Sequence, residues 1–107
     1  MTPLTYRILL ALADADRHGY GIIREIEDRE GAGAAPSTGA LYLALQRMER
    51  EGLVEAAPEP AESVDARRRY YRLTRDGRLL AEQESARLAA LVRAARAKNL
   101  LGGGATA

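Results

Sequence analysis

Two groups of side chains in this sequence have the types and spacing to hold and read a polyanion. The first is the run Arg67-Arg68-Arg69, whose guanidinium groups suit phosphate oxygens or an adjacent minor groove. The second is the segment from Ser37 to Arg47, which holds Ser37, Thr38, Gly39, Tyr42, Leu43, Gln46 and Arg47. At the start of a helix, Ser37, Thr38 and Gly39 would offer hydroxyls, free backbone N–H groups and room for close approach. Gln46 can bond adenine at two points, and Leu43 can touch a thymine methyl. Arg47 can reach a base edge or a phosphate. Tyr42 would either meet the duplex or cover the edge of the core, and Tyr20 suits a phosphate contact as well as a plain surface role.

Catalytic chemistry has little to work with. The chain has no cysteine, which excludes disulfides and thiolate zinc sites, and His18 is its only histidine. Gly19 and Gly21 do not cradle a phosphate, since no strand precedes them and no Lys-Ser/Thr pair follows. His18 itself, placed before Gly19, reads as a helix-start residue bonding to nearby backbone. The carboxylates gather in a proline-containing loop, and no nucleophile stands near a base. No enzyme, cofactor or metal is expected.

These groups need elements to position them. Thr2 caps a helix beginning at Pro3 and reaching about Ala13, with Leu4, Ile8, Leu9 and Leu12 on one stripe. A second helix runs from His18-Gly19 to about Glu30, its stripe being Ile22, Ile23 and Ile26. After the small-residue break 31–36, Ser37 caps a third helix that ends near Glu51, before Gly52. With Leu41, Leu45 and Met48 turned inward, Gly39, Leu43, Gln46 and Arg50 face outward, flanked by Tyr42 and Arg47. Strands are expected at 53–56 and 68–73, joined by a loop containing Pro58 and Pro60, with Tyr71 in the core. Thr74 caps a last helix to roughly Lys98, whose seam is Leu80, Leu88, Leu91, Val92 and Ala95. The fold class is therefore mainly α (α+β): a winged helix-turn-helix with a long C-terminal dimerisation helix. It divides into a DNA-binding domain at 1–73, the helix at 74–101 and a flexible tail at 102–107.

Size and charge fit this reading. A chain of 107 residues, nearly half hydrophobic, forms one core. Such a domain hides only about 60–70% of its unfolded surface, so dimerisation would add useful burial. The net charge is +1, but Glu49 to Asp65 carries six acids and one base, whereas Arg67 to Lys98 carries ten bases and three acids. A basic surface of this kind suits a polyanion. No apolar run approaches the roughly 20 residues of a membrane span, and no secretory start is visible, so a cytoplasmic protein without a membrane partner is expected.

Three segments together resemble the PadR-like transcriptional regulators, over nearly everything from Leu4 to Arg96. They are His18-Gly19-Tyr20-Gly21-Ile22, then Ser37-Thr38-Gly39-Ala40-Leu41-Tyr42 through Leu45 and on to Leu53, and Arg67 through Gly77. The resemblance implies a dimeric repressor in which the last helix and helix one supply the dimer contact, which adds Leu4 and Ile8 to the interface. It also implies that Tyr42 and the start of helix three meet DNA and that Arg67 to Arg69 lie on the wing. Leu43 stands where relatives often have proline. The tryptophan-lined drug site of some relatives does not carry over, because the chain has neither Trp nor Phe.

The expected function is a homodimeric regulator bound to a pseudo-palindromic operator in double-stranded DNA. Its recognition helices would sit about 34 Å apart, with a possible small-molecule effector between the C-terminal helices. A last helix of roughly 24 residues spans about 36 Å, longer than so small a domain covers, which again favours a second chain. The alternative is a winged-helix protein-interaction adaptor that does not bind DNA.

Overall fold

Among the described residues, each of four helices opens at a residue whose side chain accepts a hydrogen bond from an otherwise unpaired first-turn N–H. Thr2 accepts from Thr5, His18 from Gly21, Ser37 from Ala40 and Thr74 from Gly77. The computed structural model describes residues 1–61 and 68–102. In chain order the elements are α1 (Pro3–Ala11), β1 (Arg17–His18), α2 (Gly19–Glu30), α3 (Thr38–Arg50), β2 (Val54–Ala57), β3 (Tyr70–Leu73) and α4 (Arg75–Ala97). The strands form one antiparallel sheet in the order β1-β3-β2. This is a winged helix-turn-helix, mainly α with a small sheet.

The core lies where α1, α2 and α3 meet the sheet. Ile8, Leu9, Ile22, Ile26, Leu41, Leu45 and Met48 are fully enclosed, and Val54 and Tyr71 close the sheet side. Leu4, Leu53, Leu73 and Leu80 pack around this centre while keeping some exposure. Two glycines fix the wing against the helices. Gly52, at φ 75°, reverses the chain after α3, and the N–H groups of Gly52 and Leu53 donate back to Glu49 and Met48. That positive φ is where glycine is favoured. At Gly77 a Cβ would lie 2.0 Å from the Leu53 carbonyl oxygen, so only glycine lets α4 start against the wing.

Several boundaries differ from the sequence expectation. Helix α1 ends at Ala11, not Ala13, because Leu12 caps it and turns its N–H back to Ile8 and Leu9. β2 begins one residue late, since the Leu53 N–H is occupied in closing α3. β3 begins at Tyr70 and not Arg68. The short strand β1 was not expected. It pairs Arg17 with Tyr71 and His18 with Tyr70, and two residues are too few to show an alternating pattern. Of the expected flexible tail, residues 103–107 lie outside the described residues, as does most of the acidic loop.

Candidate nucleic-acid interface

Helix α3 has two faces set by its 3.6-residue period. Leu41, Ala44, Leu45 and Met48 are buried, which leaves Gly39, Leu43, Gln46 and Arg50 exposed on the opposite side. Leu43 is 69% exposed. At the N-terminus, Ser37 Oγ takes the Ala40 N–H and the Ser37 carbonyl takes that of Leu41. The Thr38 and Gly39 amides precede these bonds and lack an intrahelical acceptor, as the first amides of any helix do. The outward face thus joins an aliphatic group, an amide, a guanidinium and a partial positive end, the set that base edges and phosphates require.

Beside this face the wing and the start of α2 form a hollow of about 520 Å³, bounded by Tyr20, Tyr42, Gln46 and Glu49 on the helices and by Arg68 and Arg69 on the wing. Tyr42 reaches it across Gly19, where a Cβ would lie 2.4 Å from the phenol oxygen. The bare backbone of Gly19 therefore sets how the Tyr42 ring lies. Tyr20 is exposed, and its ring is stacked on His18 at 6.4 Å with 9° between planes. The Tyr70 ring meets the imidazole edge-on at 5.2 Å.

Two of the wing cations pair with acids, one on α3 and one across the sheet. Arg69 donates to Glu49 on α3 and lies 5.5 Å over the Tyr71 ring. Burial pushes the Tyr71 phenol above the ordinary tyrosine range, and the Arg69 charge opposes that shift. Arg72 bonds its cross-strand neighbour Glu55 at 2.8 Å. Two acids of the acid-rich stretch therefore balance β3 and its approach. Arg68 Nη1 lies 2.9 Å from His18 Nε2.

The structure brings Tyr20, Tyr42, Gln46, Arg68 and Arg69 together around one hollow; Ser37, Thr38, Gly39 and Leu43 are exposed along α3 and its N-terminus, and Arg67 lies outside the described residues. Arg47 does not join them and is corrected. Its guanidinium turns back to α1, donating to Thr5 Oγ1 at 2.6 Å, with Glu51 at 3.8 Å. One residue beyond Gln46 is a rotation of about 100° on the helix, enough to leave the outward face. Two further residues lie beside Tyr20 that the sequence does not assign to this face. His18 was taken only as a cap, and its aromatic neighbours come from β3 and α2, which no local pattern reveals. Arg24, one turn after Tyr20 on α2, lies 5.8 Å from that ring.

The residues expected at a dimer contact divide in four. Ile8 is corrected: it is wholly enclosed in its own core, because it shares the α1 face of Thr5, Leu9 and Leu12. Leu4 and Leu80 pack partly against that core. Leu88 and Ala95 are half-buried, whereas Leu91 and Val92 stand 55% and 44% exposed. Leu10 on α1 and Leu79 on α4 are exposed too, although neither was named. A second hollow, about 360 Å³, lies between the start of α1, the end of α2 and α4, and includes Tyr6, Leu10, Glu30 and Leu88. Arg7 closes one side by a two-point bond to Glu30, which holds the Glu30 carboxyl below the usual carboxylate range.

Residues 8–83 match the family model of the Transcriptional regulator PadR-like family. A PadR family transcription regulator from Clostridium difficile R20291 superposes with a TM-score of 0.77 at 26% identity, covering 89% of this chain and 96% of that one. Bacillus subtilis PadR, solved in complex with operator DNA, shares the fold with a TM-score of 0.66 at 22% identity, over 78% of this chain and 46% of that one. An uncharacterized 37.1 kDa protein in transposon TN4556 of Streptomyces fradiae is 40% identical over 84 residues, 78% of this chain. The chain spans 22% and 64% of the lengths of the two curated relatives it matches.

Proposed function

Since the chain belongs to the PadR-like family of transcriptional regulators, we propose that it binds duplex DNA as a homodimer and represses transcription from a pseudo-palindromic operator. The observation that carries this reading is the outward face of α3, with Leu43 and Gln46 in solvent beside the wing arginines. Bases would be read by Gln46 and Leu43 in the major groove. Thr38, Gly39, Tyr42 and the wing would hold the backbone. That B. subtilis PadR, which shares the fold, was solved in complex with operator DNA supports the duplex as partner.

Dimerisation is proposed through α4, whose Leu91 and Val92 need cover, with 1–73 as the DNA-binding unit and 74–101 as the dimerisation helix. An effector, if the repressor is released by one, would bind near these helices, where the hollow beside Leu10 and Leu88 offers an apolar lining.

A mobility-shift assay on the chain's own upstream region tests the proposal. Replacing Arg67, Arg68 and Arg69 with Ala should weaken binding to every duplex and flatten the salt slope by up to about 2.7 per protomer. A folded dimer that ignores DNA at low salt would defeat it in favour of the adaptor reading.

A further inference from the structure

Among the described residues the one buried polar side chain is that of Thr5 on α1, which is 5% exposed. Burying a hydroxyl costs free energy unless it is hydrogen-bonded. Thr5 Oγ1 accepts from Arg47 Nη2 on α3 at 2.6 Å, since a guanidinium can only donate. That leaves the Thr5 O–H for Thr2 Oγ1 at 2.8 Å, the hydroxyl that also takes the Thr5 N–H at 3.1 Å. The N-cap of α1 is thereby joined, through one buried side chain, to the second half of α3. Glu51, 3.8 Å from Arg47 Nε, draws the guanidinium to the same side. The buried stripe of α3 is otherwise apolar, made of Leu41, Ala44, Leu45 and Met48. Apolar burial has no direction and leaves small rotations of a helix about its axis cheap, whereas a hydrogen bond has a set length and angle. Gln46 precedes Arg47 by one residue, so whatever holds Arg47 also sets the direction in which Gln46 leaves the helix.

We propose that Thr5 and Arg47 are positioning residues for base readout, their bond fixing the rotation of α3 and with it the aim of Gln46 and Leu43. The inference rests on the duplex-binding reading above. Two-point bonding to a base edge tolerates little misplacement, while the attraction of a cation to phosphate falls off slowly with distance. The tether therefore acts on discrimination between duplexes more than on affinity for any duplex. Arg47 works through Thr5 and not through a phosphate, so its charge adds nothing to the salt slope.

The test uses the full chain, the duplex that the parent selects from a random pool and an unrelated duplex of equal length, with urea unfolding of each variant alongside. Thr5→Val keeps the shape of the side chain and removes the hydroxyl. Arg47→Met keeps an unbranched apolar stem and removes the donor. Each should weaken binding to the selected duplex by about tenfold, change binding to the unrelated one by less than about twofold and leave the salt slope as it was. The double variant should lose about as much as either alone, since both remove one bond. Thr5→Ser, which keeps the hydroxyl and gives up a buried methyl, should be less stable yet discriminate as the parent does. Should Thr5→Val not fold, Arg47→Met, whose side chain is 42% exposed, carries the test. Unchanged discrimination in folded variants, or discrimination lost in Thr5→Ser as in Thr5→Val, would overturn the positioning role and leave the DNA reading standing. Equal losses on both duplexes in Arg47→Met, with a slope reduced by about 0.9 per protomer, would make Arg47 a phosphate contact and overturn the role too. A folded parent that binds both duplexes alike has no readout to position, which also overturns it. One that binds neither overturns the duplex reading as well.

Discussion

Helices α3 and α4 begin alike, each at a hydroxyl cap, yet they end in opposite relations to the core. In its 13 residues α3 buries Leu41, Ala44, Leu45 and Met48, whereas α4 in 23 residues buries only Gly77. Of the five large aliphatic side chains of α4, Leu80 and Leu88 are half-buried, whereas Leu79, Leu91 and Val92 stand 47%, 55% and 44% exposed. Both helices carry an apolar stripe, but that of α3 is completed inside its own chain. A long helix held mainly at one end gains little from tertiary packing, which is where most helical stability comes from. The surfaces left over also differ in chemistry. The outward face of α3 is amide, guanidinium and one leucine, suited to a groove, while that of α4 is aliphatic and suited to a second apolar surface.

The largest effect should come from the completed side. Leu45→Ala should cost about 2–5 kcal/mol in urea unfolding, and the loss should not depend on protein concentration. Leu91→Ala, measured where the chain is monomeric, should cost far less than Leu45→Ala. Equal losses at the two positions would erase the distinction between the helices.

A smaller effect, read in another quantity, is expected on the open side. Leu91→Asp should weaken self-association by about tenfold to a hundredfold, as expected for a leucine that loses its burial. Sedimentation equilibrium over a range of concentrations measures it. A parent that stays monomeric throughout, or a variant that dimerises as the parent does, would show that α4 has another use.

Much of this contrast was legible in the residues alone. The stripes Ile22-Ile26 and Leu41-Leu45-Met48 have a strict helical period, and the caps at Thr2, Ser37 and Thr74 mark where helices begin because one oxygen must take an orphan N–H. Positions that depend on distant partners were harder to read. Ile8 and Leu91 look alike in sequence, and only the packing of α2 and α3 on α1 encloses the first and leaves the second outside. Arg47 follows Gln46 by one residue, and what turns it inward is Thr5, far away in the chain. His18 showed its cap but not its neighbours, since Arg68 and Tyr70 reach it through a two-residue strand pairing.

The smallest expected effect concerns the ion pairs that brace the two regions. Glu30 bonds Arg7, joining the end of α2 to α1, and Glu84 bonds Arg87 one turn along α4. Hydrogen bonds from the arginines hold both carboxyls below their ordinary range. A depressed carboxyl adds stability above the unfolded-state value, near pH 4.3, and loses it as pH falls through the folded-state value. Glu30→Gln should therefore lower the Tm slightly at neutral pH, with the gap closing below about pH 4. Glu84→Gln should show the same sign and a smaller gap, because its bond ties no second element. Glu30 is exposed and Glu84 keeps part of its surface in solvent, so added salt should shrink both gaps. Thermal melts of the parent and both variants from neutral to acid pH decide the matter. A gap at Glu30 that persists in acid would mean that the side chain acts by packing and not by charge. A larger gap at Glu84 would mean that α4 is braced from within more firmly than α1 is braced to α2.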